Sequence, residues 1–119
     1  MPTFSPPSVQ RPRIPIWVAA TLAAERSVAR ALRWDGILPQ TTDVAAIRDL
    51  ADLGRRERAA DAGSWDIVVD GSTRPGVAAD LDRVAALAEA GATWWTESDW
   101  VAPSLDALRR RVEAGPPRS

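Results

Sequence analysis

The chain has 119 residues and balances 15 basic against 16 acidic side chains, for a formal net charge of −1; it has no cysteine, no histidine and, among its basic side chains, only arginine. These absences exclude disulfides, thiolate catalysis and cysteine-held metals, remove the commonest general base, and rule out a lysine Schiff base or a Walker-type lysine. The even charge argues against a nucleic-acid-binding module. No apolar run approaches the ~20 residues that span a bilayer, so one soluble, cytoplasmic domain with no metal is expected.

Residues 1–12 carry proline without helical or strand periodicity and read as an extended leader. From residue 13 the chain alternates strand and helix. Ile14, Ile16 and Val18 interleave with Pro15, Trp17 and Ala19, and both sets are apolar, as in a strand covered on both faces. Residues 23–33 predict an amphipathic helix with Ala24, Val28, Ala31 and Leu32 on its apolar side. Asp35-Gly36 turns the chain into a short strand, Ile37-Leu38.

Thr41 and Thr42 are good caps for the next helix, with Asp43 in its first turn. That helix carries Val44, Ile47, Leu50 and Leu53. Gly54 ends or weakens it, and Gly63 stops it in either case. Residues 65–71 read as a buried strand, closed by the small polar loop Gly71-Ser72-Thr73-Arg74-Pro75-Gly76. A helix follows to Ala90, with Gly91 as its terminator. Residues 92–97 form the fourth strand. Leu105, Leu108 and Val112 give the closing helix its apolar face, and Gly115-Pro116-Pro117 ends it; residues 116–119 are a tail.

Four strand-helix units in a row predict an α/β fold with a parallel sheet. Such sheets place their chemistry at the carboxyl ends of the strands.

The segments Pro6-Pro7-Ser8-Val9-Gln10-Arg11-Pro12-Arg13-Ile14-Pro15-Ile16-Trp17-Val18-Ala19 and Ala29-Arg30-Ala31-Leu32-Arg33-Trp34-Asp35-Gly36-Ile37-Leu38-Pro39 resemble the C-terminal half of luciferase-like monooxygenases, which are flavin- or deazaflavin-dependent oxidoreductases. Asp66-Ile67-Val68-Val69, Gly71-Ser72-Thr73, Gly91-Ala92-Thr93-Trp94-Trp95 with Glu97, and Leu105-Asp106-Ala107-Leu108-Arg109-Arg110-Arg111 continue the likeness in order. The resemblance implies a TIM (β/α)8 barrel of which residues 13–115 hold the four C-terminal βα units. It implies FMN or a deazaflavin coenzyme and a small-molecule substrate in the complete enzyme. Barrels of this kind need ~250 residues, so the expectation is a partial barrel, cut from a longer reading frame and inactive alone. The alternative is a half-barrel binding or assembly module, completed by a second copy or by a partner chain carrying the N-terminal half.

By resemblance, Ala20, Thr21 and Leu22 form the cofactor-phosphate loop, where backbone N–H groups opening a helix suit a phosphate. The loop has no glycine, and an ordinary strand-to-helix connection explains it equally. Gln40 and Thr41 would face the substrate, although a helix cap alone accounts for the threonines. Ser72, Thr73 and Arg74 sit at the mouth of the third strand, where Arg74 offers a planar fork to a phosphate or carboxylate. The alternative there is a solvated turn. Glu97 ends the fourth strand and is the one catalytic candidate: a carboxyl buried in the barrel mouth would have a raised pKa. Its neighbours Ser98 and Asp99 favour a surface residue instead. Trp17, Trp65, Trp94 and Trp95 are expected in the core or between sheet and helices. Trp100 is the best candidate for a pocket wall. Arg109-Arg110-Arg111 reads as a solvated face.

Overall fold

The computed structural model describes residues 9–99, 101 and 104–117. It has the eight expected elements in alternation: β1 Trp17–Ala19, α1 Glu25–Ala31, β2 Gly36–Leu38, α2 Val44–Glu57, β3 Asp66–Gly71, α3 Ala78–Ala90, β4 Trp94–Glu97 and α4 Leu105–Ala114. The strands form one all-parallel sheet in the sequential order β1-β2-β3-β4. Sequential order means that no reversal creates a switch-point crevice. The first two pairings run Trp17↔Gly36 to Ala19↔Leu38 and then Gly36↔Asp66, and the last runs Val68↔Trp94 to Gly71↔Glu97.

Strand side chains alternate between faces, and the register divides the sheet cleanly. Val18, Ile37, Ile67, Val69 and Trp95 share one face with the helices. There Ile37, Ile67 and Val69 join Ala31, Ile47, Leu50, Ala51, Leu87 and Ala90 in a single core. Trp17, Ala19, Leu38, Val68, Trp94 and Thr96 lie on the other face. Val68 is only 2 % exposed, whereas Trp17 is 37 % and Trp94 53 % exposed. The two tryptophans come from opposite edge strands, yet their ring centroids are 5.3 Å apart, tilted by 58°. Trp17 reaches that position across Gly36 and donates from Nε1 to Asp66 Oδ2 at 3.2 Å.

These positions correct three expectations. β1 starts at Trp17, and the residues before it are exposed, so the strand is covered on one face instead of two. An N–H of the lead-in segment, that of Ile16, donates to Asp35 Oδ2 at 2.7 Å, and Arg13 Nη1 donates to the same atom at 2.6 Å. Trp17 and Trp94 belong to the helix-free face, not to the core. The apolar stripe of α4 is exposed at Leu105, Leu108 and Val112, and among the described residues α4 makes none of the more extensive contacts with other elements that the first three helices make.

Local chemistry explains the helix ends. Asp43, not a threonine, caps α2, accepting from the Ala46 N–H at 3.3 Å; Thr41 Oγ1 accepts from the Asp43 N–H at 3.1 Å one step earlier. α2 runs through Gly54, which faces the Trp65 ring so closely that an added Cβ would lie 2.6 Å from its Cε3. It stops at Glu57 because Arg58 is extended. The Arg58 guanidinium is used elsewhere: Nη1 donates to the carbonyls of Leu32 at 2.8 Å and Trp34 at 2.6 Å, satisfying groups left over at the end of α1. Gly91 ends α3 at φ 129°, a left-handed backbone that glycine adopts without strain.

Candidate functional site

The carboxyl ends of all four strands meet around a hollow of about 660 Å³ on the helix-free face. Ala19 and Leu38 make its apolar floor, and Gln40, Asp70, Thr96 and Ser98 stand among its polar walls. Gln40 adopts φ 58°, a left-handed conformation uncommon outside glycine. Asp70 Oδ2 accepts from Ser98 Oγ at 3.1 Å, and the Ser98 N–H donates to the Gly71 carbonyl at 2.8 Å. These bonds fix the ends of β3 and β4 against each other. A volume of this size suits a small organic ligand, and the mix of apolar floor and a few polar groups is what such ligands need.

A second hollow, of about 540 Å³, lies beneath α4. Thr73, Arg74, Pro75, Leu108, Arg111 and Val112 are among its walls, and Ser98 lines both hollows. At its base Glu97 accepts from the Thr73 N–H at 2.8 Å and from the Thr73 hydroxyl, while Arg111 Nη2 donates to Glu97 Oε1 at 2.6 Å. Arg111 also donates from Nη2 to Thr73 Oγ1 at 3.1 Å. Both charged side chains are about three-quarters buried, at 22 % and 23 % exposure. Burial alone would raise the Glu97 pKa; the Thr73 hydroxyl, Arg111 and the Thr73 N–H outweigh it and hold the carboxyl below its ordinary range. The expected raised pKa is thus reversed. Glu97 faces α4 rather than the mouth of the sheet, and it is ionised and tied at neutral pH.

Arg74 finds the carboxylate its fork suits, but within the chain: Nε donates to Asp80 Oδ2 at 3.0 Å and Nη2 to Oδ1 at 3.3 Å. The Arg74 N–H also donates to Asp80 Oδ2 at 2.8 Å. The Arg74 side chain and then its N–H hold the Asp80 carboxyl below its usual range. Ser72 is exposed, and its carbonyl accepts from Arg83 Nη2 at 2.8 Å.

The residues singled out from sequence therefore divide into three places. Gln40 and Thr41 line the mouth, and Ser72, Thr73, Arg74 and Glu97 line the hollow under α4. Ala20, Thr21 and Leu22 line neither. Ala20 is buried with its N–H donating to the Leu38 carbonyl at 3.0 Å, Leu22 packs against the core, and Thr21 is exposed. Trp100 lies outside the described residues.

Arg111 and Asp80 were missed. Arg111 had a readable signal, because it follows Leu108 by three positions and so lies beside it on the helix. Asp80 is the third residue of α3, where an acidic side chain reaches back toward preceding N–H groups. Among the described residues no cluster of three or more acidic side chains could hold a metal ion. No helix among them is long and apolar enough to cross a membrane. No family model matches the chain, and neither does any curated protein or solved structure.

Proposed function

We propose that this chain forms four βα units of a (β/α)8 barrel belonging to a flavin- or deazaflavin-dependent luciferase-like oxidoreductase or monooxygenase. The carrying observation is the polar-walled hollow at the carboxyl ends of four sequential parallel strands, on the face without helices. That is where a barrel of this type builds its site. Sequential order and helices packed on one face also suit barrel closure better than a doubly wound sheet.

The side chains fit a planar organic ring better than they fit its phosphate. Ala19 and Leu38 offer an apolar bed, and Gln40, Thr41, Thr96 and Ser98 offer donors and acceptors around it. Of the proposed phosphate loop, Thr21 is the exposed member and would meet the anion through its hydroxyl and the adjoining backbone. α1 behind it is a seven-residue helix without a side-chain cap, so the phosphate contact would need groups from further βα units. When bound, the cofactor supplies hydride transfer or oxygen activation, and the protein supplies position and electrostatics. Gln40 would orient the substrate from its left-handed turn. The Ser98–Asp70 bond would keep the far wall in place. The hollow under α4, neutralised by Glu97–Arg111 and Arg74–Asp80, would brace the loops and leave the chemistry to the mouth. With half of the walls in this chain, a single copy is inactive.

Fluorescence titration of the protein with FMN and with a deazaflavin, alone and after addition of four N-terminal βα units from an oxidoreductase of this class, tests the reading. Saturable binding that weakens about tenfold or more in Gln40→Ala is expected. Absence of saturable binding in every mixture would sink it.

A further inference from the structure

We infer that the helix-free face is a joining surface for a second copy of this chain, with β4 of each copy pairing to β1 of the other. The inference rests on the half-barrel reading above and names its partner. Among the described residues each outer strand pairs on one side only, β1 with β2 and β4 with β3. Both open edges belong to a parallel sheet and run in the same direction, so β4 of one copy meets β1 of another in parallel register. The contact is heterologous, and such contacts either close into a ring or run on as a filament. Sheet twist and coil decide between them, and parallel βα barrels close at eight strands. Two copies of four strands meet that count with two identical seams.

The surface has the composition of an interface centre. Trp17 and Trp94 stand at the middle of the helix-free face, where aromatic side chains contribute most to binding. The exposed parts of Ile16, Trp17 and Trp94 amount to an area on the order of 300 Å² per chain. Ala19, Leu38, Thr96 and the two strand edges add to it. Ile16 flanks the β1 edge, and α4 follows the β4 edge. Closure would also bring two mouths together around one axis, each completing the walls of the other.

Sedimentation equilibrium across a wide concentration range tests the inference. The expected result is a species of twice the 12.8 kDa chain mass, with nothing larger. Trp94→Glu and Thr96→Arg should each raise the dissociation constant at least about tenfold, with circular dichroism confirming that the helices persist. The cysteine-free sequence allows a gentler probe: an Ala19→Cys thiol should label fast when dilute and slowly when concentrated. A monomer at all concentrations, an open-ended polymer, or a dimer indifferent to both face substitutions would overturn the inference. If the monomer instead captures the N-terminal units and then binds flavin, this inference falls and the functional reading stands. A closed dimer without flavin binding, alone or with those units added, would do the reverse.

Discussion

The two faces of one sheet solve the same problem in opposite ways. On the helical side, Ile37, Ile67 and Val69 are sealed by Ile47, Leu50, Leu87 and the alanines of the same chain. On the other side, two tryptophans from the edge strands lean across the sheet, cover its middle and stay partly wet. The difference teaches that the helices of this chain seal one face of the sheet and leave the tryptophans of the other face partly exposed. Parallel sheets are ordinarily covered on both faces, and the joining surface proposed above is the reading that would cover this one. The same contrast separates α2, which packs on α3 and β3, from α4, whose Arg111 bonds Glu97.

The contrast can be broken most strongly from the sealed side. Ile37→Ala or Ile47→Ala should lower stability by about 2–5 kcal/mol, read from urea unfolding, because each leaves a cavity in a closed core. Trp94→Ala measured in dilute solution should cost much less than either. Equal losses would mean that the faces are not different in kind. Gly54→Leu comes next, at about 1–3 kcal/mol, because its side chain would overlap the Trp65 ring. Its far-ultraviolet spectrum should stay helical while Trp65 fluorescence changes; an unaltered emission would contradict the close approach.

The Glu97–Arg111 pair sharpens the comparison at α4. Removing one partner through Arg111→Ala should cost about 1–3 kcal/mol at neutral pH, as a largely buried carboxylate loses its donor. The sign with pH follows from the lowered Glu97 pKa. The unfolded chain takes up a proton first as pH falls, so the stabilisation is complete above the unfolded value, about 4.3, and is lost through the lower folded value. The stability gap between wild type and Arg111→Ala should therefore narrow on acidification; a constant gap down to strongly acid pH would exclude the pair as its cause. The smallest effect is expected for Arg55→Ala, whose ion pair with Asp52 is exposed, at under about 1 kcal/mol by thermal melting.

Element order and type were legible because period-two and period-3.6 patterns alternate with clear turn residues. Ile37, Ile67, Val69, Ile47, Leu50 and Leu87 all lie where those patterns put them. What the patterns do not carry is which apolar residues find a partner. Trp17 and Trp94 read as core residues and are half-wet, because hydrophobicity marks a need for cover without saying whether this chain supplies it. Leu105, Leu108 and Val112 make the same point on α4. Capping was legible in kind and displaced in position: Thr41 serves the turn and Asp43 the helix, as both can accept a backbone N–H. At the site, Gln40 and Thr41 could be placed at a strand mouth from sequence. The engagement of Arg74 by Asp80 and of Glu97 by Arg111 depends on contacts across 6 and 14 positions that no local pattern encodes.

Amide hydrogen exchange at the two sheet edges tests the central claim most directly. If the helix-free face and its edges are a joining surface, those amides of Trp17–Ala19 and Trp94–Glu97 that point away from β2 and β3 should exchange quickly in dilute protein and slow markedly as concentration rises. Amides of β2 and β3, already paired on both sides, should hardly respond. Outward-pointing edge amides that exchange at the same rate at every concentration, or that are already protected in the dilute monomer, would contradict the account.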